Sequence, residues 1–181
     1  MFSVYLLLFA RWFVGLTFAW SSLAKLRSFA SFEAAVSDFG LLPTRRVRPV
    51  ASAVVSAEVA IAVAMLTRGL VLSAGFVVAI ALLVGLTTAI VTVLRRKARV
   101  ACNCFGASDR VLTRYDVARN AVMTVVCVVG LACSHALTAP IEPLATVGVV
   151  GAAAFLVALV ASLGDVLETL RRPFTLDEEP A

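Results

Sequence analysis

The chain has 181 residues, 61% of them hydrophobic and 15% charged, with a mean hydropathy of +1.00. A soluble domain of this size needs far more polar surface, because each of its helices must show one face to water. The net charge of +5 comes from short basic clusters set between apolar blocks, which is how membrane topology is written rather than how nucleic acid is bound.

The composition therefore predicts an all-α integral membrane bundle surrounded by a lipid bilayer. The first apolar block runs from about Phe2 to Leu23 and is interrupted only by Arg11. No Lys or Arg precedes Leu6, and the block continues past any small-residue cleavage pattern into Lys25. It reads as a retained span, not a cleaved signal peptide. Next, Phe29, Phe32, Val36 and Phe39 recur at helical spacing, with Gly40 as the stop. This predicts a short amphipathic helix in the membrane interface, a placement compatible with a cap over the bundle end.

The second span starts at Pro49, a residue suited to the first position of a helix, and ends near Leu66. After the turn Thr67-Arg68-Gly69, a third span runs from about Leu70 to Leu94 and stops at Arg95-Arg96-Lys97. Thr113 and Asp116 have the spacing of a capping box, with Asp replacing the usual Glu. They open a fourth span that reaches about Ala136. Pro140 and Pro143 break the chain before a fifth span, from about Leu144 to Leu163. In that span Gly148 and Ala152 have the small-xxx-small spacing that lets helices approach. Residues 1–136 thus form a four-helix core, 137–172 an additional helix, and 173–181 a disordered acidic tail.

Five basic residues (Lys25, Arg27, Arg45, Arg46, Arg48) lie between spans one and two. Six more (Arg95, Arg96, Lys97, Arg99, Arg110, Arg114) lie between spans three and four, and none between four and five. The positive-inside rule then puts the N-terminus outside and the C-terminus in the cytoplasm of a multi-pass cell-membrane protein.

Cys102-Asn103-Cys104-Phe105-Gly106 is the stretch most suggestive of chemistry. Thiols one residue apart close only a tight, strained ring, which is easily reduced and suits exchange. The cationic flank favours the attacking thiolate, and Gly106 permits a sharp turn. Two free cysteines in a loop are the alternative. Cys127, Cys133 and His135 lie on a helix heading toward the opposite face, so a zinc site shared with the pair is not expected. Cys127 and Cys133 read as packing residues. No metal or other cofactor is expected.

Ionisable groups inside spans are costly. Arg11 and Glu58 each fall about halfway along a span, which predicts an intramembrane Arg11–Glu58 ion pair. That pair either fixes helix register or handles protons. Arg119 and Asn120 lie early enough in span four to snorkel toward headgroups near the cysteine loop, and Lys25 ends span one on the same side.

Lined up, these residues resemble the MauE family, methylamine utilisation membrane proteins related to the DoxX-like group. The resemblance runs from about Arg11 to Val128 and rests on Arg11, Phe18-Ala19, Lys25-Leu26, Leu41-Leu42-Pro43, Glu58, Cys102-x-Cys104-Phe105-Gly106 and Arg119-Asn120. It implies a four-helix bundle, with the fifth span as an addition. It also implies thiol–disulfide chemistry with a thioredoxin-like, MauD-like partner. The client would be the disulfide-rich small subunit of methylamine dehydrogenase, or that of a related maturation pathway. Cys102 and Cys104 would be the redox pair of a membrane thiol–disulfide oxidoreductase, with Phe105, Gly106, Arg119, Asn120, Lys25, Arg11 and Glu58 in support.

The charge rule puts that pair on the cytoplasmic side, while such clients fold outside. Either the pair passes electrons outward from cytoplasmic thiols, or it faces outward as an oxidant; the basic cluster favours the first. Three other readings compete: a small transporter or channel lined by the charged pair, a structural subunit of a membrane complex, and a quinone-linked subunit.

Overall fold

The apolar blocks fold as helices in a computed structural model that describes residues 2–96, 112–134 and 147–159. In chain order these are α1 (Phe2–Arg27), α2 (Phe29–Asp38), α3 (Thr44–Ala64), α4 (Leu70–Arg95), α5 (Arg114–Ala132) and α6 (Val147–Leu159). Helices α1, α3, α4 and α5 are each long and apolar enough to cross a membrane, and α6 is a shorter apolar helix. Among the described residues there is no strand. The chain is a multi-pass membrane protein, since a spanning segment in lipid must satisfy its backbone internally.

Successive long helices run antiparallel. Arg11 in the N-terminal half of α1 reaches the chain just past α3, and Lys25 near the end of α1 reaches Glu58 within α3. A Cβ on Gly130 near the end of α5 would fall 2.5 Å from Phe76 near the start of α4, and 3.0 Å from Ala10. The bundle thus has a turn end, where Gly69 at φ +64° leads into α4, and a basic end carrying Arg27, Arg45, Arg48, Arg95 and Arg114.

The two halves differ in what they bury. Toward the turn end, Leu7, Val14 and Phe18 of α1 pack with Ile61 and Met65, Phe76 and Ala79, Met123 and Cys127, and Ala153 and Val157 of α6. Toward the basic end the apolar clusters are small. Phe32 of α2 packs on Ala51 and Val55 of α3, while Phe39, just past α2, packs against Ile90, Val93 and Leu112. The amphipathic segment is therefore a cap over the basic end, one of the two placements its pattern allows.

One expectation needs correction, and one weak signal is resolved. Helix α3 begins at Thr44, with Pro43 as N-cap, so Pro49 lies inside it rather than opening it. The bond lost at Pro49 would have gone to the Arg45 carbonyl, and Arg45 is an exposed residue in the first helical turn where solvent can take over. In α6, Gly148 and Ala152 are exposed while Ala153 and Val157 face the core, so the small-xxx-small pair is turned away from the bundle. The ends of the expected fifth span lie outside the described residues, as does the acidic tail.

Candidate functional site

The basic-end half of the bundle holds a buried polar cluster built by α1 and α3. Thr17, Ser21 and Lys25 stand four residues apart on α1 and therefore share one face. The Lys25 ammonium donates to the Ser21 hydroxyl at 2.6 Å and to Glu58 Oε1 at 2.7 Å. Ser21 Oγ in turn donates to Glu58 Oε1 at 3.2 Å, closing a triangle. Phe32 of the capping helix lies with its ring 5.2 Å from Lys25 Nζ, a cation–π placement. The pair is dry: the side chains are 3% and 2% exposed. Removing charges from water is costly, so such a pair persists only where geometry and further hydrogen bonds compensate.

Glu58 therefore meets Lys25, not Arg11. The Arg11 guanidinium instead donates to the backbone carbonyls of Met65 and Leu66, the latter at 2.8 Å. The physical reason is side-chain direction. Every helical Cα–Cβ bond tilts toward the helix N-terminus, so Arg11 leans toward the turn end while Lys25 leans inward from the basic end. The carbonyls that close α3 have no intrahelical partner, and a guanidinium satisfies them well.

On α5 the capping box forms as its spacing predicts. Asp116 Oδ2 accepts from the Thr113 amide at 2.9 Å and from the Thr113 hydroxyl at 3.3 Å. Asp116 is fully buried, and its other oxygen stands 4.0 Å from Arg119. The Arg119 side chain is only 8% exposed, so it lies against the protein rather than snorkelling outward. Asn120 is buried one turn further in. The buried stripe of α5 runs Asp116, Asn120, Met123, Cys127, Gly130, polar at the basic end and apolar at the turn end. Helix α1 repeats the same gradient in reverse.

Cys102, Cys104, Phe105 and Gly106 lie outside the described residues, as does His135. Cys127 is buried in the main core with Cys133 packed beside it, as the reading of both as packing residues expects. Sequence reasoning missed Ser21 and the role of Phe32, and it placed Lys25 only at a helix end. The signal was there: Thr17, Ser21 and Lys25 form an i, i+4, i+8 polar stripe pointing into the bundle.

The family described as Methylamine utilisation protein MauE matches over residues 3–133, which takes in α1 to α5 and both Cys102 and Cys104. The Methylamine utilization protein MauE of Paracoccus denitrificans is 32% identical over 158 residues, spanning 84% of this chain and 83% of its own. No solved structure matches. On both grounds this multi-pass membrane protein belongs to the MauE family.

Proposed function

We propose that the protein transfers electrons by thiol–disulfide exchange between the two sides of the membrane, serving an extracytoplasmic thioredoxin-like partner. Cys102 and Cys104 are the redox pair in this reading. One observation carries it. The segment holding both cysteines joins Arg96 to Leu112, and the helices on either side of it meet at the basic end, where Lys25, Glu58, Asp116 and Asn120 are buried. Cys102 is six steps along the chain from Arg96, so the covalent chain holds it within about 22 Å. In this reading the pair works at that polar end of the bundle, and Arg95 and Arg96, which precede it in the chain, supply the positive charge that favours a thiolate.

In the exchange, one cysteine thiolate attacks a sulfur of the partner's disulfide and the partner's second sulfur leaves as a thiolate. The other cysteine then attacks the mixed disulfide. The partner departs as a dithiol, two electrons richer, and Cys102–Cys104 remains as the disulfide. A cytoplasmic dithiol reduces it again by the same chemistry, so the cycle requires the pair to be reached from each side of the membrane in turn. The family's printed description concerns methylamine utilisation. In this reading the client is the disulfide-rich small subunit of methylamine dehydrogenase, or another secreted protein whose disulfides need maturing.

Replacing Cys102 and Cys104 one at a time with Ser tests the assignment, because loss of the resolving thiol traps the mixed disulfide. One variant should accumulate a reductant-sensitive adduct with a thioredoxin-like protein, and both should lose client maturation. A fully active double Ser variant would remove the redox reading. A second reading, favoured by the charged Lys25–Glu58 pair buried within the spans, is a small transporter in which that pair takes part in transport. It requires the reverse result, with the cysteines dispensable and the charged pair essential.

A further inference from the structure

A furrow of about 370 Å³ runs between α1 and α3, lined by Trp12, Leu16, Leu23, Val59, Ala62 and Val63, with Arg11 at the turn end. We propose that this furrow binds an anionic phospholipid, one acyl chain lying along it and the phosphate held by Arg11 and Arg68.

The setting fixes what meets the furrow. Both helices are membrane-spanning, and Val63 is 56% exposed on this side, so the open face meets lipid chains rather than water. The furrow's volume falls within the ~300–1,000 Å³ typical of small-ligand sites. Its polar head is just as specific. Arg11 spends two of its five N–H groups on the Met65 and Leu66 carbonyls, leaving others for an incoming anion. Arg68 is exposed two residues beyond Leu66, in the turn that Arg11 grips. No Asp or Glu occurs between residues 2 and 32 or between 59 and 108. Glu58, the carboxylate on α3, already holds Lys25 deeper in the bundle. Among the described residues, Arg11 on the furrow wall and Arg68 in the adjoining turn bring two cations to the membrane boundary, and the furrow's own lining holds no carboxylate; a lipid phosphate supplies the missing charge in a geometry guanidinium groups favour.

Trp12 lines the furrow, so it reports directly on an occupant. The test uses the full chain with Trp20→Phe, in phosphatidylcholine vesicles containing a small fraction of lipid brominated on its acyl chains. Brominated phosphatidylglycerol should quench Trp12 at about a tenfold lower mole fraction than brominated phosphatidylcholine, the equivalent of one charge-assisted hydrogen bond. Arg68→Gln, a change at an exposed turn residue, should bring the two lipids close together. Ala62→Phe, which fills the furrow, should weaken Trp12 quenching by both. The companion variant Trp12→Phe leaves Trp20, which the furrow does not include, as the control. Equal quenching of Trp12 by both lipids would overturn the proposal. So would an equal preference for phosphatidylglycerol at Trp20, since that describes general gathering of anionic lipid around a basic protein. Persistence of the preference in Arg68→Gln would overturn it as well.

Discussion

Inside this bundle the lean of each side chain toward its helix N-terminus selects which charges meet. Lys25 sits at the basic end of α1 but points into the protein, where Glu58 and Ser21 receive it. Arg11, on the same helix, leans in the same direction and there meets the carbonyls that close α3. These placements make opposite predictions for double replacements. Lys25→Met or Glu58→Leu alone should destabilise the bundle by roughly 3–5 kcal/mol, because each leaves an uncompensated buried charge. The combined variant should recover much of that loss in thermal melts monitored by size-exclusion fluorescence. Arg11→Leu should cost about 1–3 kcal/mol by stripping partners from two carbonyls. Its effect should add to that of Glu58→Leu within about 0.5 kcal/mol. Strong coupling between Arg11 and Glu58 would instead restore the ion pair that their similar depth suggests. The sequence does show that charges are buried in these spans. Pairing them takes the direction of each helix and its rotation about its axis, and counting residues along a span supplies neither.

At the scale of elements, close approach decides more than hydropathy does. A Cβ at Gly130 would fall 2.5 Å from the Phe76 ring, and one at Gly75 would fall 2.7 Å from the Ala64 Cβ. A Cβ at Gly85 would meet nothing within 4 Å. Gly130→Ala and Gly75→Ala should therefore each destabilise by about 1–3 kcal/mol through overpacking. Gly85→Ala should be neutral or stabilising by up to about 1 kcal/mol, since alanine is the better helix former. A melting series in one detergent checks all three, and a destabilised Gly85→Ala would show that its face is covered. Thr113→Ala should remove about 1 kcal/mol by opening the capping box at the start of α5. That box was legible because both partners lie in one local stretch of chain. The start of α3 was not, since proline is favoured at a first helical position and Pro49 lies near one without occupying it. The Gly148–Ala152 spacing was a weak signal for a related reason. Small residues permit contact but do not require it, and here Ala153 and Val157 face the core instead.

For the whole molecule, the buried interior grades from apolar at the turn end to charged and hydrogen-bonded at the basic end, on α1 and α5 alike. A gradient of this kind gives the protein two unlike faces, and the redox reading depends on which face meets the cytoplasm. Charge counting assigns the basic end to that side, because retained Lys and Arg resist translocation. Single cysteines introduced into a variant lacking the four native ones give the measurement. Arg45→Cys and Arg96→Cys place thiols at exposed positions of the basic end, and Arg68→Cys places one at the turn end. In intact cells, a membrane-impermeant maleimide should label the Arg68 position and leave the other two untouched until the membrane is opened. Labelling of the Arg45 and Arg96 positions alone would invert the molecule. Cys102 and Cys104 would then face outward, and the pair would act as an oxidant of its partner instead of a reductant. Labelling at both ends in sealed cells would mean a mixed population, which the unequal basic loops argue against: eleven Lys and Arg residues flank the basic end between spans, against one at the turn end.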